Sequence, residues 1–103
     1  MDGVTILQPE TVAEMMSDQN GKGNITAETP YGLNIQREES LVEGRIIYGH
    51  QGMIENILTN VYYDPESRFV FVLLTNGCSN KLDKRVAGIT RKLFALAWET
   101  FGR

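Results

Sequence analysis

The sequence predicts an α+β fold in which two helices flank an antiparallel β-sheet of three to four strands. A short helical pattern lies near the start of the chain, a long one lies at its end, and extended segments separated by turns lie between them. The 103 residues, 42% hydrophobic and 22% charged, fit a single domain, 1–103, with its own core. We therefore expect a helix packed on an antiparallel sheet.

The first helix is predicted over residues 9–18, within the stretch PETVAEMMSDQ. Pro9 and Glu10 suit a first helical turn, and the apolar residues after them recur at helical spacing. Residues 19–30 follow and are rich in glycine and asparagine, which predicts a surface loop. Because no strand precedes these glycines, they indicate a connector rather than a phosphate-binding loop.

Three extended segments come next. Residues 31–39 (YGLNIQREE) alternate loosely and predict a strand. Residues 45–63 contain two β-like pieces, RIIYG and ILTNVYY, with the stretch HQGMIEN between them. Residues 64–67 (DPES) predict a turn, because proline presets the second turn position and aspartate can cap the first.

The last strand is predicted over residues 68–76 (RFVFVLLTN). Residues 69–74 are apolar without a break, and such a run is typical of a strand that is covered on both faces. We expect this strand to be central in its sheet, or to become central by association with another chain.

A C-terminal helix is predicted from Lys81, with Asn80 as its cap and Asp83 in its first turn. Basic residues occupy much of its other surface. The apolar stripe that we expect to face the core recurs at steps of three and four: Leu82, Val86, Ile89, Leu93, Ala97 and Phe101.

Charge and cysteine content narrow the partners and cofactors. A net charge of −3 and a pI near 5.1 provide no basic surface for nucleic acid or an anionic membrane. Cys78 is the only cysteine, so we expect no internal disulfide, no zinc site and no cofactor. The start of the sequence lacks a secretory signal and a membrane span. This predicts a cytoplasmic protein if the chain is complete, and leaves a periplasmic or extracellular location open for a longer parent.

The sequence holds no self-contained apparatus for acyl transfer. A nucleophilic serine needs a base and oxyanion donors, and His50, the only histidine, is a candidate base. The alternative is that His50 is a polar residue in a turn or near a strand end. No Gly-x-Ser-x-Gly elbow occurs, and no serine has a lysine three positions later: the serines are Ser17, Ser40, Ser67 and Ser79.

Three other candidates have plainer interpretations. The pair Glu38 and Glu39 predicts a solvated strand edge rather than catalytic carboxylates. Cys78 is interpreted as a small residue at a helix entry, with a reactive thiol as the alternative. Trp98 is expected to pack beside its aromatic helix neighbours, Phe94 and Phe101, rather than stack on a ligand.

Five stretches together resemble the C-terminal part of the serine β-lactamase and penicillin-binding-protein superfamily, in its class C and D-alanyl-D-alanine-carboxypeptidase-like branch. They are YGL, GHQG, YDP, LTN and the C-terminal helix, and they occur in the family's order over nearly the whole chain. PETVAEMMSDQ is similar to the family's helix upstream of that region. The resemblance implies a partial β-lactamase/transpeptidase-like fold whose parent cleaves β-lactams, D-alanyl peptides or esters through an acyl-serine.

The resemblance also implies roles for four residues on one wall of the active site. By position, the box GHQG corresponds to the lysine-threonine-glycine motif. The resemblance makes His50 its basic residue, puts Gln51 in place of its hydroxyl residue, and makes Gly52 its glycine. The N–H of Met53 is the implied oxyanion donor, a role in which a main-chain donor stabilises developing charge by about 3 kcal/mol. The sequence departs from the family at Gln51, which has an amide instead of a hydroxyl, and at the bulky Met53.

The family's serine-x-x-lysine and tyrosine-x-asparagine motifs belong to the N-terminal two-thirds and have no counterpart here. We therefore expect this chain to be the inactive C-terminal segment of a serine hydrolase, without a catalytic residue of its own. The alternative is a free-standing binding module that pairs through an exposed sheet edge, as a homodimer or higher oligomer. A third interpretation is complementation by another polypeptide that carries the nucleophile.

Overall fold

The structure is a computed structural model that describes residues 3–20, 31–77, 81–83 and 86–102. The chain divides into two compact units, Met1–Arg37 and Glu38–Arg103. The predicted loop at 21–30, the predicted cap Asn80, and Cys78 lie outside the described residues.

The first unit contains helix α1, Pro9–Met16, which confirms the predicted N-terminal helix. The last carbonyl groups of a helix have no partner within it, and here a later segment supplies donors. The backbone N–H of Leu33 donates to Met15 O at 2.8 Å, and Arg37 Nη1 donates to Met16 O at 2.5 Å. A Cβ on Gly32 would lie 2.2 Å from Met15 O, so only glycine allows this approach.

Four strands form one antiparallel sheet in the order β1-β2-β3-β4, and this confirms the predicted α+β class. The strands are β1 (Gln36–Glu38), β2 (Ile47–Ile54), β3 (Ile57–Asp64) and β4 (Phe69–Asn76). The predicted strand over 31–39 is wrong in its first half. Asn34 has φ 55°, and the N–H of Gly32 donates to Ile35 O, so residues 32–35 turn before the short β1 begins.

A two-residue turn joins β2 and β3. Glu55 and Asn56 both have positive φ, 43° and 66°, as the twist-compatible hairpin turn requires. Ile54 pairs with Ile57 across it. Both predicted strands are found, but the first is longer than predicted. β2 continues through HQGMI to the turn, and His50 is its fourth residue of eight.

The turn between β3 and β4 confirms the prediction for residues 64–67. The carboxylate of Asp64 accepts hydrogen bonds from the backbone N–H groups of Glu66 and Ser67 and from Ser67 Oγ, the last at 2.6 Å. Arg45 Nη1 donates to the same carboxylate at 2.5 Å. The buried carboxylate therefore accepts hydrogen bonds both from the turn that follows it and from Arg45, which lies before β2.

The predicted cover on both faces of residues 69–74 is not found among the described residues. Side chains alternate along β4, so that Phe71 is buried while Val70 and Val72 are exposed. β4 is also the last strand of its sheet. An unbroken apolar run therefore has one covered and one uncovered face here, and association remains the untested half of the prediction.

The C-terminal helix begins later than predicted. A small antiparallel pair is formed by β5 (Leu82–Asp83) and β6 (Val86–Ala87), and α2 runs from Gly88 to Ala97 before a π-helical turn at Trp98–Gly102. The predicted stripe is wrong in part: Ile89, Leu93 and Phe101 are exposed. The buried helix residues are Thr90 and Phe94.

Aromatic packing explains which side of α2 faces the sheet. The ring of Phe94 meets Phe71 at 5.3 Å and Phe69 at 5.7 Å between centroids, both edge-on, and Trp98 lies 5.4 Å from Phe69. This confirms the packing expectation for Trp98 beside Phe94. Large rings bury more apolar area than Ile89 or Leu93 would, so they determine the orientation of the helix.

Gly49 in β2 lets the core ring of Tyr62 lie across the strand. A Cβ on Gly49 would lie 2.0 Å from Val61 O and 2.8 Å from the Tyr62 ring. Tyr62 is only 1% exposed and belongs to the core cluster with Ile47, Phe71 and Phe94. Any side chain at Gly49 would therefore separate β2 from β3.

Candidate functional site

His50 lies on the sheet face opposite α2, which we call the outer face. Its side chain is exposed, and its cross-strand partner is Val61, which in turn pairs with Val72. His50 Nδ1 lies 3.0 Å from the backbone oxygen of Gln51. Because a carbonyl oxygen only accepts, a hydrogen bond in this contact has Nδ1 as its donor.

A shallow groove of about 310 Å³ lies beside His50 on the outer face. The register of the strands brings its walls together: Gly52 pairs with Thr59, and Thr59 pairs with Leu74. Among the described residues, no aspartate, glutamate, lysine or arginine lines it. The residues that line this groove are His50, Gln51, Gly52, Thr59, Asn60, Val61, Val72 and Leu74.

The side chain of Gln51 points to the other face, away from the ring of His50. Successive strand residues alternate between faces, and Gln51 Oε1 accepts a hydrogen bond from the backbone N–H of Ala87 at 3.1 Å. The amide that the sequence suggested as a substrate ligand thus ties β2 to the start of α2. The structure brings together His50 and Gly52 on the outer face, but not the Gln51 amide.

The strand register determines which main-chain groups of β2 bond to β3 and which point toward the side of β1. In a two-residue hairpin the residues that flank the turn exchange hydrogen bonds, and alternate residues do so along the ladder. Ile54, Gly52 and His50 therefore bond to β3, given the observed register. The N–H groups of Gln51 and Met53 consequently point away from β3.

Glu38 is not the solvated edge residue that the sequence predicted. It is 6% exposed, and its Oε2 accepts a hydrogen bond from Ser40 Oγ at 3.1 Å. Arg91 in α2 donates to both the backbone and side-chain oxygens of Ser40. Burial, followed by the charge of Glu38, raises the pKa of Tyr62 above its ordinary value. This cluster lies under the helix, where it supports packing rather than chemistry.

Asp64 is held as a carboxylate by its surroundings. Burial by itself would raise its pKa, but hydrogen bonds from Ser67, from the backbone N–H of Glu66 and from Arg45 outweigh that effect. The pKa of Asp64 therefore lies below its ordinary value. The guanidinium of Arg45 also lies 5.2 Å above the Trp98 ring, so the aspartate is connected to the core.

Sequence reasoning missed Thr59, which lines the groove beside Gly52. Its Oγ1 lies 3.5 Å from Gly52 O. A Cβ on Gly52 would lie 2.8 Å from Thr59 Oγ1. A two-residue turn at Glu55 and Asn56 would have fixed the pairing of residues 52 and 59 in advance. The signal was present in the sequence, but the prediction treated these residues as part of a longer connection.

Within the described ranges, no helix has the length and apolarity needed to cross a membrane. In the same part of the chain, no three histidine, cysteine, aspartate or glutamate side chains are grouped so that they could hold a metal ion. Among the groove-lining side chains on the outer face, the reactive groups are the imidazole of His50 and the hydroxyl of Thr59.

Comparisons of the chain with protein-family models, with curated proteins and with solved structures find no match.

Proposed function

We propose that this chain forms one wall of an acyl-serine hydrolase site related to the serine β-lactamases and penicillin-binding proteins, as their C-terminal segment. In this proposal His50 is the basic group beside the substrate, and Met53 offers its N–H to the developing oxyanion. The supporting observation is that β2 runs unbroken through residues 50–53, with His50 on the outer face. The sequence resemblance supplies the choice of reaction.

The proposal assigns Gln51 a positioning role rather than the ligand role implied by the resemblance. Its hydrogen bond to Ala87 N–H supports this. Because this hydrogen bond holds the Gln51 side chain on the face opposite His50, its amide does not face a substrate carboxylate beside His50. Within the family's range, this favours substrates that have no carboxylate to be bound, such as simple esters.

Alone, the chain is proposed to be catalytically incompetent, because it contains no serine-x-x-lysine motif to provide an activated nucleophile. Incubation with a fluorescent penicillin, followed by denaturing electrophoresis, tests this. The expected result is no covalent label above that of the heat-denatured chain. Stoichiometric labelling of the 103-residue chain would refute it.

Complementation provides the positive test. The chain is co-expressed with the N-terminal part of a related hydrolase that carries the serine-x-x-lysine and tyrosine-x-asparagine motifs, and ester hydrolysis is measured. We expect activity that falls at least about tenfold with His50→Ala and is unchanged by Leu96→Ala, an exposed position on α2. Assembled complexes with activity insensitive to His50 would contradict the proposed role of the wall.

A second candidate is a non-catalytic module that binds an extended strand at its sheet edge. The observation that favours it is β4, which is the last strand of the sheet and carries exposed Val70, Val72 and Leu74. Amide hydrogen exchange separates the candidates. In a strand-binding module, the β4 amides gain protection from exchange when the partner binds. In the hydrolase wall, the amides near His50 gain protection when the N-terminal part of the hydrolase binds.

A further inference from the structure

The free edge of β4 has a defined set of backbone groups. The hairpin turn determines that β3 bonds to β2 through its odd-numbered residues, 57 to 63, and hence to β4 through its even-numbered ones. The β4 residues opposite the latter are 69, 71, 73 and 75. The N–H and C=O groups of the alternate residues therefore point outward: Val70, Val72, Leu74 and Asn76.

Nothing within β4 protects this edge. Natural edge strands are blocked by charged side chains, proline, bulges or short length. β4 has eight residues, FVFVLLTN, none of them charged, proline or glycine. Its outward-facing residues are also exposed at their side chains, by 57% at Val70 and 72% at Leu74. In the described part of the chain no further strand follows β4 in the sheet.

We propose that this edge binds a second copy of the chain, β4 against β4 in antiparallel register centred on Leu73. The inference rests on the second candidate function and names its partner. A register centred on Leu73 pairs residue 72 with 74 of the other copy, and residue 70 with 76. All four outward residues then take part, which forms about eight hydrogen bonds in a twofold interface.

The side chains agree with self-pairing in this register. On the outer face Val72 meets Leu74 of the second copy, so branched apolar residues are opposed. On the covered face Leu73 meets itself. Because β4 carries no charge, the pairing brings no like charges together along the strand. A copy of the same strand is therefore a complementary partner, and the two sheets become one.

Proline at an outward-facing position tests the interface without removing a bond to β3. The N–H of Val72 points away from β3, and a proline is tolerated where an edge-strand N–H faces outward. We expect the wild-type chain to sediment as a dimer at micromolar concentrations. Val72→Pro should raise the dimer dissociation constant about thirtyfold or more, while Val72→Thr, which keeps the N–H, should remain dimeric.

Disulfide trapping tests the register and does not depend on how the proline variant folds. In a Cys78→Ser background, Leu73→Cys places two thiols opposite each other, at a Cα separation within disulfide range. Val70→Cys is the matched control, because its opposite residue is Asn76. We expect an oxidised dimer from Leu73→Cys and little from Val70→Cys, at equal protein concentration.

A wild-type chain that is monomeric at these concentrations overturns the inference, and so does a folded Val72→Pro variant that dimerises as strongly as wild type. Equal trapping at positions 70 and 73 overturns the register. If the chain is monomeric but an added extended peptide protects the β4 amides, the strand-binding function survives and only self-pairing fails. The hydrolase proposal is judged separately by the complementation assay.

Discussion

The two faces of the β2–β4 sheet have similar apolar content but different neighbours. The covered face carries Tyr62, Phe69 and Phe71, which pack on Phe94 of α2. The outer face carries valine and leucine side chains that stay exposed, together with His50. Hydrophobic content alone therefore does not determine which face receives the helix. The outer face also carries two aromatic residues, Tyr48 and Tyr63. What distinguishes the covered face is Phe69 and Phe71, whose rings meet Phe94 edge-on.

Removing the ring that joins helix and sheet should have the largest effect. Phe94→Ala deletes a side chain that is 0% exposed, and we expect a loss of about 3–5 kcal/mol in the free energy of unfolding. Urea denaturation followed by circular dichroism measures it. Leu96→Ala, on the same helix and 64% exposed, should change stability by less than about 0.5 kcal/mol. Similar losses of stability in the two variants would mean that the buried and exposed sides of α2 contribute equally to the free energy of unfolding.

Asp64, at the end of the covered face, should have the next largest effect. Asp64→Asn weakens the charged hydrogen bonds to Arg45 and Ser67, at an expected cost of about 2 kcal/mol at neutral pH. Glu66→Gln is the control, because Glu66 lies 3.4 Å from Arg45 with a side chain 70% exposed, and it should cost less than about 0.5 kcal/mol.

The effect at Asp64 has a defined pH dependence. Since the folded pKa of Asp64 is lowered, its contribution is complete above the unfolded pKa of about 3.9 and is lost as the pH falls through the folded value. The difference between wild type and Asp64→Asn should therefore shrink in acid, in urea titrations at decreasing pH. A difference that grows in acid would contradict the assigned direction.

A stabilising change is expected at Thr90, under α2. Thr90 is 0% exposed, and its hydroxyl has no hydrogen-bond partner among the described residues. Thr90→Val replaces that hydroxyl with a methyl group and should raise the free energy of unfolding by about 1 kcal/mol. Thr100→Val, where the hydroxyl is exposed and donates to Leu96 O at 2.9 Å, should not stabilise. Destabilisation by Thr90→Val would show that the hydroxyl has a partner that packing alone does not reveal.

The smallest change is expected on the outer face. Val72 is 60% exposed, so Val72→Thr should alter stability by less than about 0.5 kcal/mol. Val86→Thr makes the same substitution at a residue that is 0% exposed and should cost about 1–2 kcal/mol. Thermal unfolding of both variants at one protein concentration gives the comparison. Equal costs would indicate that another chain covers Val72.

Local patterns predicted the N-terminal helix over residues 9–18, found at Pro9–Met16, the aspartate-capped turn at residues 64–67 and the α+β class, because each depends on neighbouring residues. The start of α2 was mispredicted, since the apolar spacing around Val86 fits a helix as well as the β5–β6 pair that forms. Only contacts distant in sequence, such as that of Phe94 with Phe71, distinguish the two.

The candidate site was predictable in part. The sequence singled out the stretch from His50 to Met53, and the structure has it in one strand. It could not predict that the Gln51 side chain would bond to Ala87, because that depends on the position of Ala87, 36 residues later and just before α2 begins. The burial of Glu38 was missed for a similar reason, since α2 lies over it through Arg91 and Ser40.

The contact between Gly49 and the Tyr62 ring affects how variation near His50 is to be interpreted. With a Cβ excluded at Gly49 by Val61 O and Tyr62, selection for folding alone keeps glycine at that position, in an active protein or an inactive one. The side chain of His50 is exposed instead, so core packing does not require histidine at that position. Among relatives that diverge from this chain, glycine at 49 would indicate an intact core, whereas histidine at 50 would indicate retained chemistry.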